Sequence, residues 1–253
     1  MKNYEILIKD FQRTEKENTK ASKQSLKNNI AIFESFFEVQ QKLFDNHFWG
    51  VLDPYYGLQN YERIVMQSFR KNIHLLYIAH NLTVQGNYGS ANILLRQVFE
   101  FLILGKYAFI KKDDSMATKW LNRHQFDIYN KILKYLEKPS KTNFHNYWKI
   151  ICIQAHATTS SHQITYKFEE NKSQIHATSG FILLLLRCNY HLLSVCFINT
   201  RLSFRSEFYH YLKKSNSQLK VKARLLKKQI LNMYSPLGKE LIKDYETKWF
   251  FKK

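Results

Sequence analysis

The fold is decided by the stretch FILLLLRCNYHLLSVCF, residues 181–197, which is almost entirely apolar. A run of this length forms either a membrane-spanning helix or a helix buried in a protein core. Arg187, Asn189 and His191 lie near its middle. A charge at that position costs about 2.5–3.5 kcal/mol on insertion into a bilayer. The sequence therefore predicts a buried core helix, within a longer apolar helix over residues 177–212.

Helical periodicity extends outward from this stretch over most of the chain. Residues 29–49 and 59–84 repeat apolar side chains at the spacing of amphipathic helices. We expect Ser90 to be the N-cap of a helix ending near Lys111, a further helix to reach about Glu137, and residues 157–173 to form a loop. Only residues 163–168 alternate as a strand would. The pattern predicts an all-α, single-domain antiparallel helix bundle.

The net charge of the chain is strongly positive and unevenly distributed. The 253 residues include 39 basic and 20 acidic side chains, a formal net charge of +19. Residues 201–253 alone hold 14 basic and 4 acidic side chains. We therefore expect a polar lead-in at residues 1–28, the bundle core at 29–212 and a basic helical extension at 213–253. Such an excess is typical of a protein that binds phosphate groups, although solvated surface lysines are the alternative.

The basic extension contains a candidate nucleic-acid-binding helix. The segment LKVKARLLKKQIL, residues 219–231, can place its apolar residues on one side and most of its basic residues on another. An anionic membrane or plain solvent could also face that basic side. The candidate contacts to nucleic acid are Lys220, Lys222, Arg224, Lys227 and Lys228.

A pair of opposite charges lies inside a second apolar segment. Arg96 and Glu100 are four residues apart, so a helix places them on the same face. Because apolar residues surround Glu100, Arg96 is the nearest group that can compensate its charge. The pair is either an internal ion pair or a device that orients Arg96 towards a phosphate.

Two Arg/His pairs have the same spacing of four residues. One is Arg187 with His191 in the apolar stretch, and the other is Arg70 with His74, leading on to Tyr77. A histidine can accept the proton of a ribose 2′-hydroxyl, and an adjacent arginine can stabilise charge on the phosphorus oxygens. Either pair could therefore cleave RNA without metal, or form the polar edge of a core helix.

His156 is a further candidate catalytic residue, since it lies where a helix is expected to give way to a loop. The histidines at 156, 162 and 176 lack the i, i+3 or i, i+4 spacing of zinc ligands. The sequence also contains no P-loop, GxGxxG or GxSxG motif. We therefore expect no metal ion and no cofactor.

The cysteine pattern and the N-terminal residues favour a cytoplasmic protein. The three cysteines, Cys152, Cys188 and Cys196, form no CxxC pair and are odd in number. The opening residues MKNYE do not begin an apolar run of the kind that a signal peptide needs.

Short motifs between residues 60 and 200 carry a resemblance to a known family. They are Phe69-Arg70, LTVQG at residues 82–86, ANILLR at 91–96, Phe99-Glu100, and HATTS from His156. They resemble a bacterial all-helical family associated with phage defence and abortive infection, which is similar to HEPN domains. The resemblance implies a helical bundle that dimerises and cuts RNA without metal through an Arg-x(4–6)-His motif. It favours Arg96, Glu100 and His156 as site residues, whereas the Arg/His pairs here have three intervening residues.

Charge, Arg/His pairs and resemblance together favour a toxin-like or phage-defence effector that acts on RNA rather than DNA. We expect a homodimer, with an antitoxin or a defence-system subunit as a further partner. The alternative is a non-catalytic helical module that binds nucleic acid or protein. An effector that acts on membranes is the least favoured hypothesis.

Overall fold

The computed structural model describes residues 2–48, 58–122, 127–137 and 168–198, and these ranges are almost entirely helical. No strand occurs within them, so the predicted all-α fold class is confirmed for this part of the chain. The elements are α1 (Lys2–Ser25), α2 (Lys27–Phe48), α3 (Asn60–Val84), α4 (Tyr88–Lys111), α5 (Asp114–Leu121), a π-helix (Ile128–Leu133), α6 (Lys134–Glu137) and α7 (Phe168–Ile198).

The apolar stretch that dominates the sequence is the centre of the core. Every side chain from Ile182 to Tyr190 is buried, so α7 is enclosed all round in this segment. Phe69 on α3 and Phe99 on α4 are fully buried in the same cluster. None of the helices that the structure describes is long and apolar enough to cross a membrane. The prediction of a buried core helix is confirmed.

Two hydrogen bonds show the direction of α7 relative to α2. Asn29 Nδ2 donates to Ser179 Oγ at 3.0 Å. Further along both helices, Gln40 Nε2 donates to the carbonyl oxygen of Leu186 at 2.9 Å. The contact positions advance in the same sense on the two helices, so α7 runs parallel to α2.

Aromatic contacts show that α3 runs antiparallel to α2. The His80 ring stacks on Phe33 with the centroids 3.8 Å apart, and the Tyr77 ring lies 5.3 Å from that of Phe37. As the residue number rises along α2, it falls along α3. The two helices therefore form an antiparallel pair.

Helix α4 returns along α3 after a short turn. Lys71 Nζ lies 4.7 Å from the centroid of the Phe101 ring. Nearer the start of α3, Ser68 lies close to Gly105 of α4. A Cβ atom at Gly105 would be 3.4 Å from the Ser68 Cβ. These positions again run in opposite directions, so α3 and α4 are antiparallel.

Helix α7 runs parallel to two of the helices that it contacts. Thr178 Oγ1 lies 3.4 Å from Asn92 Oδ1, to which it donates a hydrogen bond. Leu192, fourteen residues after Thr178 on α7, lies close to Gly105 of α4. A Cβ atom at Gly105 would be 2.9 Å from Leu192 Cδ2. The residue numbers rise together along α4 and α7, so α7 is parallel to α4 as well as to α2. It packs against α2, α3 and α4, whose directions alternate.

The turn between α3 and α4 depends on Gly86. This residue has a φ of +87°, which a side chain tolerates poorly. Asn87 is the N-cap of α4, and its side chain accepts a hydrogen bond from the backbone N–H of Ser90 at 3.4 Å. The prediction that Ser90 is the N-cap was wrong. The Asn87 side chain caps the helix instead, and the backbone N–H of Ser90 is the group that it caps.

Substitution of Gly86 by alanine should lower the free energy of unfolding by about 2 kcal/mol, from the cost of a positive φ. The added Cβ would also lie 2.8 Å from Asn18 Nδ2. The Asn18 carboxamide oxygen accepts a hydrogen bond from the backbone N–H of Phe168, so the clash should loosen the contact of α1 with α7. Urea unfolding measures the effect. Gly89→Ala, in the first turn of α4, is the matched control and should cost nothing; equal losses in both variants would contradict the argument.

Several other boundaries differ from the predicted ones. Helix α7 begins at Phe168, where the sequence predicted a loop to residue 173, because Phe168 and Ile175 are buried against Leu26. The expected helix to Glu137 is divided into α5, the π-helix and α6. The polar lead-in is helical and nearly continuous with α2, with Ser22 and Leu26 buried in it.

Candidate functional site

Arg187, a predicted catalytic residue, lies inside the core. Only 8% of it is exposed, and burial lowers the pKa of its guanidinium to about 10. A strand of nucleic acid cannot reach a group at this depth without unfolding α7. The side chain of His191, its predicted partner, lies outside the described side chains. The structure therefore favours the other Arg/His pair as the one open to solvent.

The polar groups beside Arg187 form a hydrogen-bonded cluster of amides that sequence analysis missed. Asn189 is fully buried, and its Nδ2 donates to Gln40 Oε1 at 3.2 Å and to the carbonyl oxygen of Phe69 at 3.3 Å. Asn189 Oδ1 accepts from Asn72 Nδ2 at 3.1 Å. This cluster joins α2, α3 and α7. Asn189 was visible only as a polar residue in an apolar run, which indicates burial but not its partners.

Arg96 and Glu100 form the ion pair that their spacing predicted. Arg96 Nε lies 3.1 Å from Glu100 Oε1, and each side chain is 30% exposed. The pair is thus less buried than the sequence suggested, and it remains accessible to water. Partial exposure keeps its contribution to stability small.

This ion pair does not converge with the exposed Arg/His pair. Phe101, which faces Lys71 on α3, is five residues from Arg96, about 140° round the helix at 3.6 residues per turn. Arg96 consequently lies on the flank of α4 that is turned away from α3. The candidate residues therefore lie in three places: in the core, on this flank of α4, and on α3.

The outward side of α3 carries the second Arg/His pair. Arg70, Lys71, His74 and Tyr77 are all exposed, and we call these four residues the α3 outer face. Arg70, His74 and Tyr77 are spaced by four and three residues, which keeps them on one side of the helix, and Lys71 lies about 100° round the helix from Arg70. Two cations, an imidazole and a phenol ring are thus presented together to solvent.

Contacts with the neighbouring helices hold both edges of the α3 outer face. At one edge Lys71 Nζ lies over the Phe101 ring of α4, which is a cation–π contact. At the other edge the Tyr77 ring packs at 30° against Phe37 of α2. The face is therefore part of a three-helix surface rather than of one isolated helix.

The acidic residues of α3 and α4 already have partners. Each helix has one acidic side chain. Glu62 Oε2 accepts a hydrogen bond from the backbone N–H of Gln59 at 2.8 Å, which caps α3. Glu100 is paired with Arg96. Both carboxylates are therefore engaged within their own helices.

Two further histidines are placed by the fold rather than by any sequence motif. His80 lies on the inner side of α3 against Phe33, and burial lowers its pKa to about 4. The His176 Nε2 atom lies 2.7 Å from Ser25 Oγ, and burial, with a smaller contribution from Lys172, lowers the pKa of this ring. Both contacts pin neighbouring helices together.

The remaining predicted site residues cannot be placed. His156 and the basic residues Lys220, Lys222, Arg224, Lys227 and Lys228 lie outside the described residues. Within the ranges that the structure does describe, no group of three or more His, Cys, Asp or Glu side chains could hold a metal ion.

Comparisons with other proteins add no relative. The chain matches no known protein family, no curated protein and no solved structure. The geometry of its own residues is therefore what any functional argument rests on.

Proposed function

We propose that this protein is an RNA-binding effector with a HEPN-like helical bundle, and that the α3 outer face contacts the RNA. The observation that carries the proposal is the joint exposure of Arg70, Lys71 and His74 on α3. Lysine and arginine neutralise phosphates and release counterions, which is the main source of affinity for nucleic acid. The basic residues near the C-terminus, Lys220 to Lys228, would extend the same electrostatic attraction.

The Arg70/His74 pair also suits metal-independent cleavage of RNA. In this reaction the His74 imidazole takes the proton of a ribose 2′-hydroxyl, and the 2′-oxygen attacks the adjacent phosphorus. The bond from phosphorus to the 5′-oxygen breaks, leaving a 2′,3′-cyclic phosphate, and the departing oxygen takes up a proton. Arg70 would stabilise the negative charge that develops on the phosphorus oxygens. Toxin-like action in phage defence, in a homodimer held by an antitoxin or another subunit, is consistent with such an activity.

Binding and cleavage can be tested together on the exposed pair. We expect Arg70→Ala and Lys71→Ala each to weaken binding to RNA about two- to tenfold and to reduce the slope of log affinity against log salt by about 1. Fluorescence anisotropy with labelled RNA at several salt concentrations measures both quantities. Lys23→Ala, which removes an exposed cation from α1, is the matched control and should change neither. Unchanged binding in both α3 variants would contradict the proposal.

Incubation with total RNA in EDTA tests the catalytic part. Cleavage that persists in EDTA and is lost in His74→Ala supports the metal-independent reaction. Intact RNA in every condition, with salt-dependent binding retained, supports the second candidate, a non-catalytic binding module. The burial of Arg187 favours that alternative, since it removes one of the two possible catalytic pairs from contact with RNA.

A further inference from the structure

The junction between α1 and α2 holds a serine in direct contact with a histidine. Ser25 is the last residue of α1, and His176 lies on α7, 151 positions further along the chain. Ser25 Oγ is 2.7 Å from His176 Nε2, and both residues are half-buried, so solvent still reaches them. An imidazole at this distance from a hydroxyl is placed to remove the hydroxyl proton. The function proposed above uses neither residue.

His176 is in the protonation state that a general base requires. Burial, with a smaller contribution from Lys172, lowers the pKa of its ring from the usual 6.5. The imidazole is therefore neutral at pH 7. With its own proton on Nδ1, it has Nε2 as the acceptor for the proton of Ser25 Oγ. The contact thus joins a hydroxyl to a base that can activate it.

The beginning of α2 supplies groups that stabilise negative charge beside Ser25. Helix α2 begins at Lys27, two residues after Ser25. The backbone N–H of Ile30 donates to the carbonyl oxygen of Leu26 at 2.9 Å, which closes the first turn. The N–H groups of residues 27–29 belong to this turn and have no acceptor within α2. A first turn of this kind carries partial positive charge, which stabilises an oxyanion.

We infer that Ser25 and His176 form an acyl-transfer site that acts on esters of small carboxylic acids. Ser25 Oγ attacks the carbonyl carbon of the ester, its proton passes to His176 Nε2, and the first turn of α2 stabilises the charge on the carbonyl oxygen. The bond from the carbonyl carbon to the alkoxy oxygen then breaks, and the alcohol leaves with the proton from His176. Water next attacks the acyl-serine and gives a proton to His176. The free acid is released as that proton returns to Ser25 Oγ.

Hydrolysis of p-nitrophenyl acetate by the full chain measures this reaction through the release of p-nitrophenolate. We expect turnover above the rate in buffer, and we expect Ser25→Ala to abolish it. His176→Gln keeps a polar side chain that cannot take up the proton, so it should slow turnover at least about a hundredfold, the lower end of the contribution of a general base. A fluorophosphonate, whose phosphorus bonds to an activated serine with loss of fluoride, should inhibit the wild-type chain and label the peptide that contains Ser25.

Controls separate this chemistry from a purely structural contact. Ser173→Ala removes an exposed hydroxyl of α7 that is bonded to Gln174 Oε1, and it should leave turnover and labelling unchanged. Thermal unfolding shows whether Ser25→Ala and His176→Gln are folded; the site of the label on the wild-type chain decides the matter if they are not. Turnover no faster than in buffer, a label on another residue, or full activity in folded His176→Gln would overturn the inference. Each of these outcomes leaves the RNA-binding proposal intact, since neither residue belongs to the α3 outer face.

Discussion

Replacement of Asn189 by alanine is expected to lower the free energy of unfolding by about 3 kcal/mol or more, since each buried polar group left without a partner costs about 1–3 kcal/mol. The substitution removes the donor to Gln40 Oε1 and to the carbonyl oxygen of Phe69. It also removes the acceptor for Asn72 Nδ2. Because all three side chains in this cluster have no exposed surface, water cannot replace the lost hydrogen bonds.

Chemical unfolding in urea, followed by circular dichroism, measures this loss. Gln97→Ala is the matched control, because it removes an amide from the exposed surface of α4, and it should change stability by no more than about 0.5 kcal/mol. If Asn189→Ala proves as mild as Gln97→Ala, the amide cluster does not hold the three helices together.

Acidification should destabilise the protein through His80. The folded-state pKa of this group is lowered from 6.5 to about 4 by burial, so the folded protein resists a proton that the unfolded chain accepts. The stabilising contribution is fully present above pH 6.5 and is lost as pH falls towards 4. At about 1.4 kcal/mol per pKa unit, the loss amounts to about 3 kcal/mol by pH 4.

The test compares the wild-type chain with His80→Phe at pH 7 and at pH 4. Phenylalanine keeps a ring against Phe33, 3.8 Å from the His80 ring in the native structure, and it does not titrate. The variant should gain about 3 kcal/mol relative to the wild type on going to pH 4, and other titrating groups cancel in this difference. A pH-independent difference for His80→Phe would refute the burial argument.

These two predictions concern side chains buried in the core, Asn189 of α7 and His80 on the inner side of α3, whereas the functional predictions concern the outer side of α3. Phe69, Asn72 and His80 face the core, whereas Arg70 and His74 face solvent. Variants of the exposed pair should therefore change stability by no more than about 0.5 kcal/mol. A loss of RNA binding or cleavage in those variants can then be assigned to contact rather than to unfolding.

Periodicity and composition determined the helical class, the approximate bounds of α2 to α4, and the burial of α7. Those features depend on interactions between residues close in the chain and on the cost of exposing an apolar run, both of which the sequence displays directly. The Arg96–Glu100 pair belongs to the same group, because a helix fixes the distance between residues four apart.

Tertiary structure alone decided which of two identical Arg/His spacings is accessible. Arg70/His74 and Arg187/His191 look alike in the sequence, but α3 borders solvent and α7 is surrounded by three helices. Tertiary structure also decided the direction of α7, the amide cluster around Asn189 and the stacking of His80 on Phe33. Each of these depends on contacts between residues that are 40 or more positions apart. Such contacts are set by how whole helices pack, and no local pattern in the chain encodes the face on which each partner will lie.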